Sequence, residues 1–235
     1  MTSRPHLAPT EPSGGALLFD FGGTLDADGV RWAVRFHEAY RAAGGSLPLV
    51  RFESHFRRSD AALAELPGIR AMGFRQMVEA QAALLLRLVD DGAALDAGRI
   101  ADAFHSESLA AVQRNRILLA ALAPRPLGVV SNFTGNLERC LEELEMASLF
   151  SVACDSAVIG CCKPDARIFR TALEALTATA DDAWMVGDNF DADVRPAAAL
   201  GMRTCWLAPA ERPMPAEGVA TMRVARLSDF LALVA

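Results

Sequence analysis

Four polar side chains stand where the chain offers short apolar runs or the loops that follow them. Asp20 follows residues 16–19, Ser131 follows residues 127–130, Lys163 lies in the loop beyond residues 151–154, and Asp188 follows residues 183–186 and Gly187. Two carboxylates, a hydroxyl and an ammonium are the groups needed to hold a phosphoryl group beside one hard cation, which prefers oxygen ligands. Taken singly, each has an ordinary alternative: Ser131 and Asp188 could cap helices, and Lys163 could be a solvated charge. One count separates Lys163 from the background. Of the 23 basic side chains, 22 are arginine, so Lys163 is the only lysine.

The elements around these residues follow from the apolar pattern. Residues 16–19 form a continuous apolar run, as a strand buried on both faces requires, and Gly22-Gly23 then permits a tight turn. From about residue 27 to residue 125 no strand is expected. Trp32, Phe36, Ala39, Tyr40 and Ala43 recur at helical spacing, as do Phe74, Met77, Val78, Leu84, Leu85 and Leu88. The pattern predicts four or five helices there, with a short one around Phe52 and Phe56. Beyond residue 125 the rhythm changes to strands alternating with helices: strands at 127–130, 151–154, 183–186 and 203–207, and a closing helix at 227–234. Such alternation predicts an α/β fold, a parallel Rossmann-like sheet with helices on both faces. In such a sheet all C-terminal strand ends lie along one edge, where residues distant in sequence converge. The expected organisation is a flexible tail at 1–14, an α/β core at 15–26 and 125–235, and an inserted helical cap at 27–124.

Composition narrows the function classes. A 52% hydrophobic and 22% charged chain suits a globular protein with a full core. A net charge of −6 gives no electrostatic reason to expect nucleic acid or an anionic membrane surface. No apolar run approaches the roughly 18–20 residues of a membrane span. Five cysteines without a secreted-framework spacing point to buried thiols and a cytoplasmic location.

Taken in order, Asp20-Phe21-Gly22-Gly23-Thr24-Leu25, Ser131-Asn132, Lys163-Pro164-Asp165 and Val186-Gly187-Asp188 with Asp193 resemble the four motifs of the haloacid dehalogenase superfamily. The resemblance runs from about residue 16 to the end and includes a helical cap between the first two motifs. It implies that Asp20 is a nucleophile that forms an aspartyl-phosphate. It implies Mg2+ held by Asp20, the backbone carbonyl of Gly22 and Asp188. It also implies phosphoryl binding by Gly23, Thr24, Ser131, Asn132 and Lys163, with Asp193 orienting Lys163. The implied substrate is a small organic phosphate. Cap residues Arg31, Trp32, Arg57, Arg58, Arg70 and Arg75 are candidates to contact it, and the cap is expected to hinge near residues 26–29 and 124–126.

One position departs from the pattern. Phosphatases of this superfamily carry a second aspartate two residues after the nucleophile, as general acid and base; here it is Gly22. That assistance is worth about 10²–10⁴-fold in rate. The sequence therefore leaves several readings: a phosphatase limited to good leaving groups or helped by Asp26 or Asp28, a 2-haloacid dehalogenase, or a catalytically weak phosphate-binding protein. Retention of Asp188 argues against the dehalogenase. A phosphonatase would need a cap lysine, and there is none.

Overall fold

The computed structural model describes residues 15–235, so the tail expected over residues 1–14 lies outside the described residues. The run before Asp20 is a fully buried strand, β1 (Leu17–Phe19). Five more strands follow: β2 (Leu127–Ser131), β3 (Val152–Asp155), β4 (Trp184–Gly187), β5 (Arg203–Leu207) and β6 (Met222–Val224). They form one parallel sheet in the order β3-β2-β1-β4-β5-β6. Phe19 pairs with Val129 on one side and Val186 on the other. This register aligns the strand ends and makes Asp20, Ser131 and Asp188 neighbours.

Strand side chains alternate between the two faces, and each face has its own cover. Leu18, Val130 and Met185 pack with Ile168, Phe169 and Leu173 of one helix (Ala166–Ala175) and with Ala197. Leu17, Phe19, Val129 and Val186 belong to a larger apolar cluster with Leu137, Cys140, Phe230 and Leu231 on the opposite face. Helices therefore cover both faces of the sheet, as the alternation of elements requires.

Between β1 and β2 the chain is helical, with α1 (Trp32–Ala42), α2 (Leu49–Ala64), α3 (Phe74–Leu86) and α4 (Ala97–Ala120). α2 is longer than the short helix expected around Phe52 and Phe56, and α4 is continuous. Phe36, Phe52, Phe74, Met77, Leu85 and Phe104 from these helices lie in the same apolar cluster as Leu17 and Phe19. The insertion is thus packed onto the sheet.

Strand β6 is absent from the sequence-based reading. Its three residues, Met222, Arg223 and Val224, are all only partly buried, and it is an edge strand hydrogen-bonded on one side. A run this short with a central arginine carries no periodic signal. The helix expected from about residue 193 to 200 is split: a distorted turn over Phe190–Val194 precedes the short helix Arg195–Ala199.

Candidate active site

Asp20 leaves the sheet at the end of β1, its backbone N–H still bonded to the Val186 carbonyl at 2.9 Å. Its side chain is 10% exposed and accepts two donors on the same oxygen. Ser131 Oγ donates to Oδ1 at 2.9 Å, and Lys163 Nζ lies 2.6 Å from it. The Lys163 ammonium also pairs with Asp193 at 2.6 Å. Burial on its own would lower the Lys163 pKa, but the carboxylates of Asp193 and Asp20 more than reverse this and keep the ammonium charged. Asn132 fixes the backbone of that lysine from the neighbouring strand end. Its amide donates to the Lys163 carbonyl at 3.0 Å and its Oδ1 accepts the Lys163 N–H at 2.7 Å.

Asp188 completes the group. Asp20, Asp188 and Asp193 each bring a carboxylate oxygen within 4.8 Å of the others, and all three are buried. Burial first, then the charges of Asp20 and Asp193, raises Asp188 well above the usual carboxylate range. Burial and Asp20 also push Asp193 up to about 6, against the opposing pull of Lys163. Three buried carboxylates facing one ammonium leave an excess of negative charge, and this donor set fits a hard divalent cation. Gly23 makes the approach possible. It has a φ of 87°, and a Cβ there would meet Asp188 Oδ2 at 2.8 Å. Trp206 Nε1, from β5, holds the Asp188 carbonyl at 3.0 Å.

The carboxylates, Ser131, Asn132 and Lys163 open onto a cleft of about 500 Å³ between the sheet edge and the helical insertion. That volume suits a small ligand. A family profile described as haloacid dehalogenase-like hydrolase matches residues 15–201. The chain belongs to the haloacid dehalogenase-like hydrolases. It is 39% identical over 110 residues to a phosphoserine phosphatase from Thermus thermophilus, covering 45% of this chain and 43% of that protein. The matched segment spans less than half the length of the curated relatives, including a pyrimidine 5′-nucleotidase of Escherichia coli at 32% identity over 107 residues, covering 44% of this chain and 47% of that protein. Among solved structures, a dehalogenase in an intermediate complex superposes with a TM-score of 0.64 at 16% identity, covering 96% of this chain and 99% of the other. The putative HAD-hydrolase YfnB from Bacillus subtilis, bound to magnesium, gives 0.57 at 19% identity, covering 94% and 98%. At these identities the structural likeness establishes the fold.

Two residues beyond Asp20, the Trp32 indole packs against Gly22. The backbone of Gly22 is extended (φ −74°, ψ 117°), a conformation open to any residue. A Cβ there would sit 3.1 Å from Trp32 Nε1, so the indole of α1 lies where a longer side chain would begin. Neither sequence candidate for a replacement acid is available. Asp26 is fully buried and accepts from Arg35 (2.8 Å), Trp32 Nε1 (2.9 Å), Ser108 (3.2 Å) and the Gly23 N–H (2.7 Å). Asp28 pairs with Arg114 at 2.8 Å and caps the C-terminal helix through the Leu227 N–H at 3.0 Å.

Not every expected contact residue reaches the cleft. The Gly23 N–H is engaged by Asp26, and the Thr24 side chain is fully buried; neither residue lines the cavity. Of the cap candidates, Arg31, Trp32 and Arg57 line it, whereas Arg58, Arg70 and Arg75 do not. Arg75 instead pairs with Glu79 and Asp102. Asp155, at the end of β3, was missed. It accepts from the N–H groups of Gly135, Leu137 and Ala157, and so shapes the loop that carries Asn132 and Phe133. Its position at a strand end before a helix was the available signal.

Proposed function

We propose that this protein is an Mg2+-dependent phosphohydrolase that acts on a small organic phosphate through a phosphorylated Asp20. The observation that supports this reading is the buried cluster in which Asp20, Asp188 and Asp193 surround a single ammonium at the mouth of a cleft. Asp20, Asp188 and the Gly22 carbonyl would hold the cation, which when bound offsets phosphoryl charge. Lys163 and Ser131 converge on Asp20 Oδ1, so no protein donor among the described residues engages Oδ2. In the proposed first step an Asp20 oxygen bonds to phosphorus, and the bond to the leaving oxygen breaks with its electron pair on that oxygen. Water then attacks phosphorus, releasing phosphate and restoring the carboxylate. Lys163 and Ser131 would stabilise the phosphoryl oxygens in both steps, and Asn132 and Asp193 would keep Lys163 in place.

With Trp32 beside Gly22 and both Asp26 and Asp28 engaged, neither of these two aspartates is free to protonate a leaving alkoxide. The preferred substrates are therefore those whose leaving group departs as a stable anion, such as aryl and acyl phosphates. The phosphatase-named relatives support phosphoryl transfer over carbon–halogen cleavage. The free cysteines are compatible with a reducing, cytoplasmic setting. Among the described residues no helix is long and apolar enough to cross a membrane.

The test is a comparison of 4-nitrophenyl phosphate, acetyl phosphate, an alkyl phosphate and 2-chloropropionate, each with and without Mg2+. Mg2+-dependent turnover of the first two, with acid-quench trapping of label on Asp20, is the expected result. Tight phosphate binding without turnover of any ester or anhydride would instead mark a binding protein on the same fold, a reading favoured by the absent acid. Metal-independent halide release would overturn both.

A further inference from the structure

The three clustered carboxylates are not held in the same way. Asp20 is fixed through one of its own oxygens by Ser131 and Lys163. Asp193 is paired with Lys163 and accepts the Asn189 N–H at 3.0 Å. Asp188 differs. It is only 3% exposed, yet among the described residues no hydrogen bond or ion pair engages its carboxylate. Its hold is on the main chain instead. Asp188 lies one residue beyond β4, where the ladder has ended. Its carbonyl accepts the Trp206 indole N–H at 3.0 Å and the Arg212 guanidinium at 3.4 Å.

The two donors brace each other. Trp206 pairs in register with Gly187, the residue before Asp188, and its ring is fully buried. A buried indole directs its N–H to a partner, and here the partner is the main chain of a candidate metal ligand. Arg212 lies over the same ring at 5.3 Å. Arg223 of β6 packs on that ring at 4.9 Å and donates to the Arg212 carbonyl at 2.8 Å, so the loop carrying Arg212 is tied down as well. Asp20 and Asp193 repel a carboxylate that has no donor of its own, and only a fixed backbone keeps it beside them. We propose that Trp206 and Arg212 are positioning residues that hold Asp188 in place to ligate a divalent cation. This assignment rests on the metal-dependent phosphohydrolase reading for the identity of the cation and adds what fixes its ligand.

Mg2+ affinity of the full chain, read without substrate from the rise of melting temperature with Mg2+ concentration, is the test. Trp206→Phe and Arg212→Met are each expected to weaken Mg2+ binding about 10- to 100-fold, the range for loss of a group that orients a metal ligand. Arg212→Lys, which keeps a charged donor, is expected to recover most of the affinity. Trp184→Phe makes the same exchange in the neighbouring strand, away from the Asp188 carbonyl, and is expected to lower the melting temperature while leaving Mg2+ affinity unchanged. Should Trp206→Phe fail to fold, the half-buried Arg212 decides the matter through its own two variants. Unchanged affinity in Trp206→Phe and Arg212→Met, or an equal loss in Trp184→Phe, would overturn the assignment. A shift in one variant alone would remove the other residue from the role. A parent protein that binds Mg2+ and shows the expected losses but turns over no phosphate would disprove the hydrolase and leave both residues in place. No Mg2+ binding by the parent protein would overturn both.

Discussion

Two residues beyond Asp20, Gly22 lies against the Trp32 indole. Gly22 has a backbone that accepts any residue, so only the Trp32 indole stands in the way of a side chain. Gly22→Asp is therefore expected to destabilise the protein by about 1–3 kcal/mol through overpacking. It should not create an alkyl phosphatase unless Trp32 is also made small. Urea titration of the single variant, and alkyl phosphate turnover by Gly22→Asp/Trp32→Ala, check the two halves of that statement. Asp20→Asn should reduce 4-nitrophenyl phosphate turnover by at least about 10³-fold while leaving the circular dichroism unchanged, since nucleophile and activating groups act as a unit. Normal turnover by that variant would remove Asp20 from the nucleophile's role. The sequence already placed Asp20, Ser131 and Asp188 at strand ends and Lys163 in a loop beyond one, because strand termini are legible from apolar runs. It could not show that Asp26 is saturated with donors, since that depends on how α1 folds back to bring Arg35 to it and on Ser108, 82 residues further along on α4.

The elements joining insertion to sheet are fastened by that same aspartate. Arg35 on α1 is fully buried with Asp26, and it also reaches Ser108 on α4 at 2.6 Å. Phe21 adds edge contacts with Trp32, Phe74 and Phe133, so the first turn after β1 touches α1, α3 and the loop after β2. Replacing Arg35 by methionine leaves a buried carboxylate without its cation and should cost about 3–5 kcal/mol, measured by urea unfolding. Arg35→Met with Asp26→Leu should recover a good part of the loss. The hinge expected near residues 26–29 is thus pinned on its cap side in this arrangement, and any opening would first have to break these contacts. Helical spacing made the four inserted helices visible in outline, but the length of α2 was hidden because polar residues, Arg57 and Asp60 among them, interrupt its apolar stripe where it borders the cleft.

At the scale of the whole molecule, the apolar cluster that runs from Leu17 through Phe104 predicts that insertion and sheet unfold together. A single urea transition, coincident by circular dichroism and tryptophan fluorescence, is the expected outcome. The buried carboxylates add a pH dependence. Asp193 moves from 3.8 to about 6 on folding, so the native state binds the extra proton between those values. Without metal its contribution to stability is complete below the lower value and is lost as pH rises through the upper one. Protons and Mg2+ compete for the cluster, so added Mg2+ should raise the melting temperature more at about pH 7.5 than at about pH 5; a metal concentration near 100 times its dissociation constant contributes about 2.7 kcal/mol. Equal shifts at the two pH values would place the cation elsewhere. Parallel topology was legible because strands and helices alternate; the excess charge became visible only once the sheet register brought distant carboxylates together. The solitary lysine has a practical corollary. Lys163 is 5% exposed and its carboxyl side is joined to proline, so a lysine-specific protease has no ordinary bond to cut. Apart from the α-amine, acylation by an amine-directed ester has one target, and that target, ion-paired with Asp20 and Asp193 and held protonated, is expected to react only when the fold opens and the pairs break.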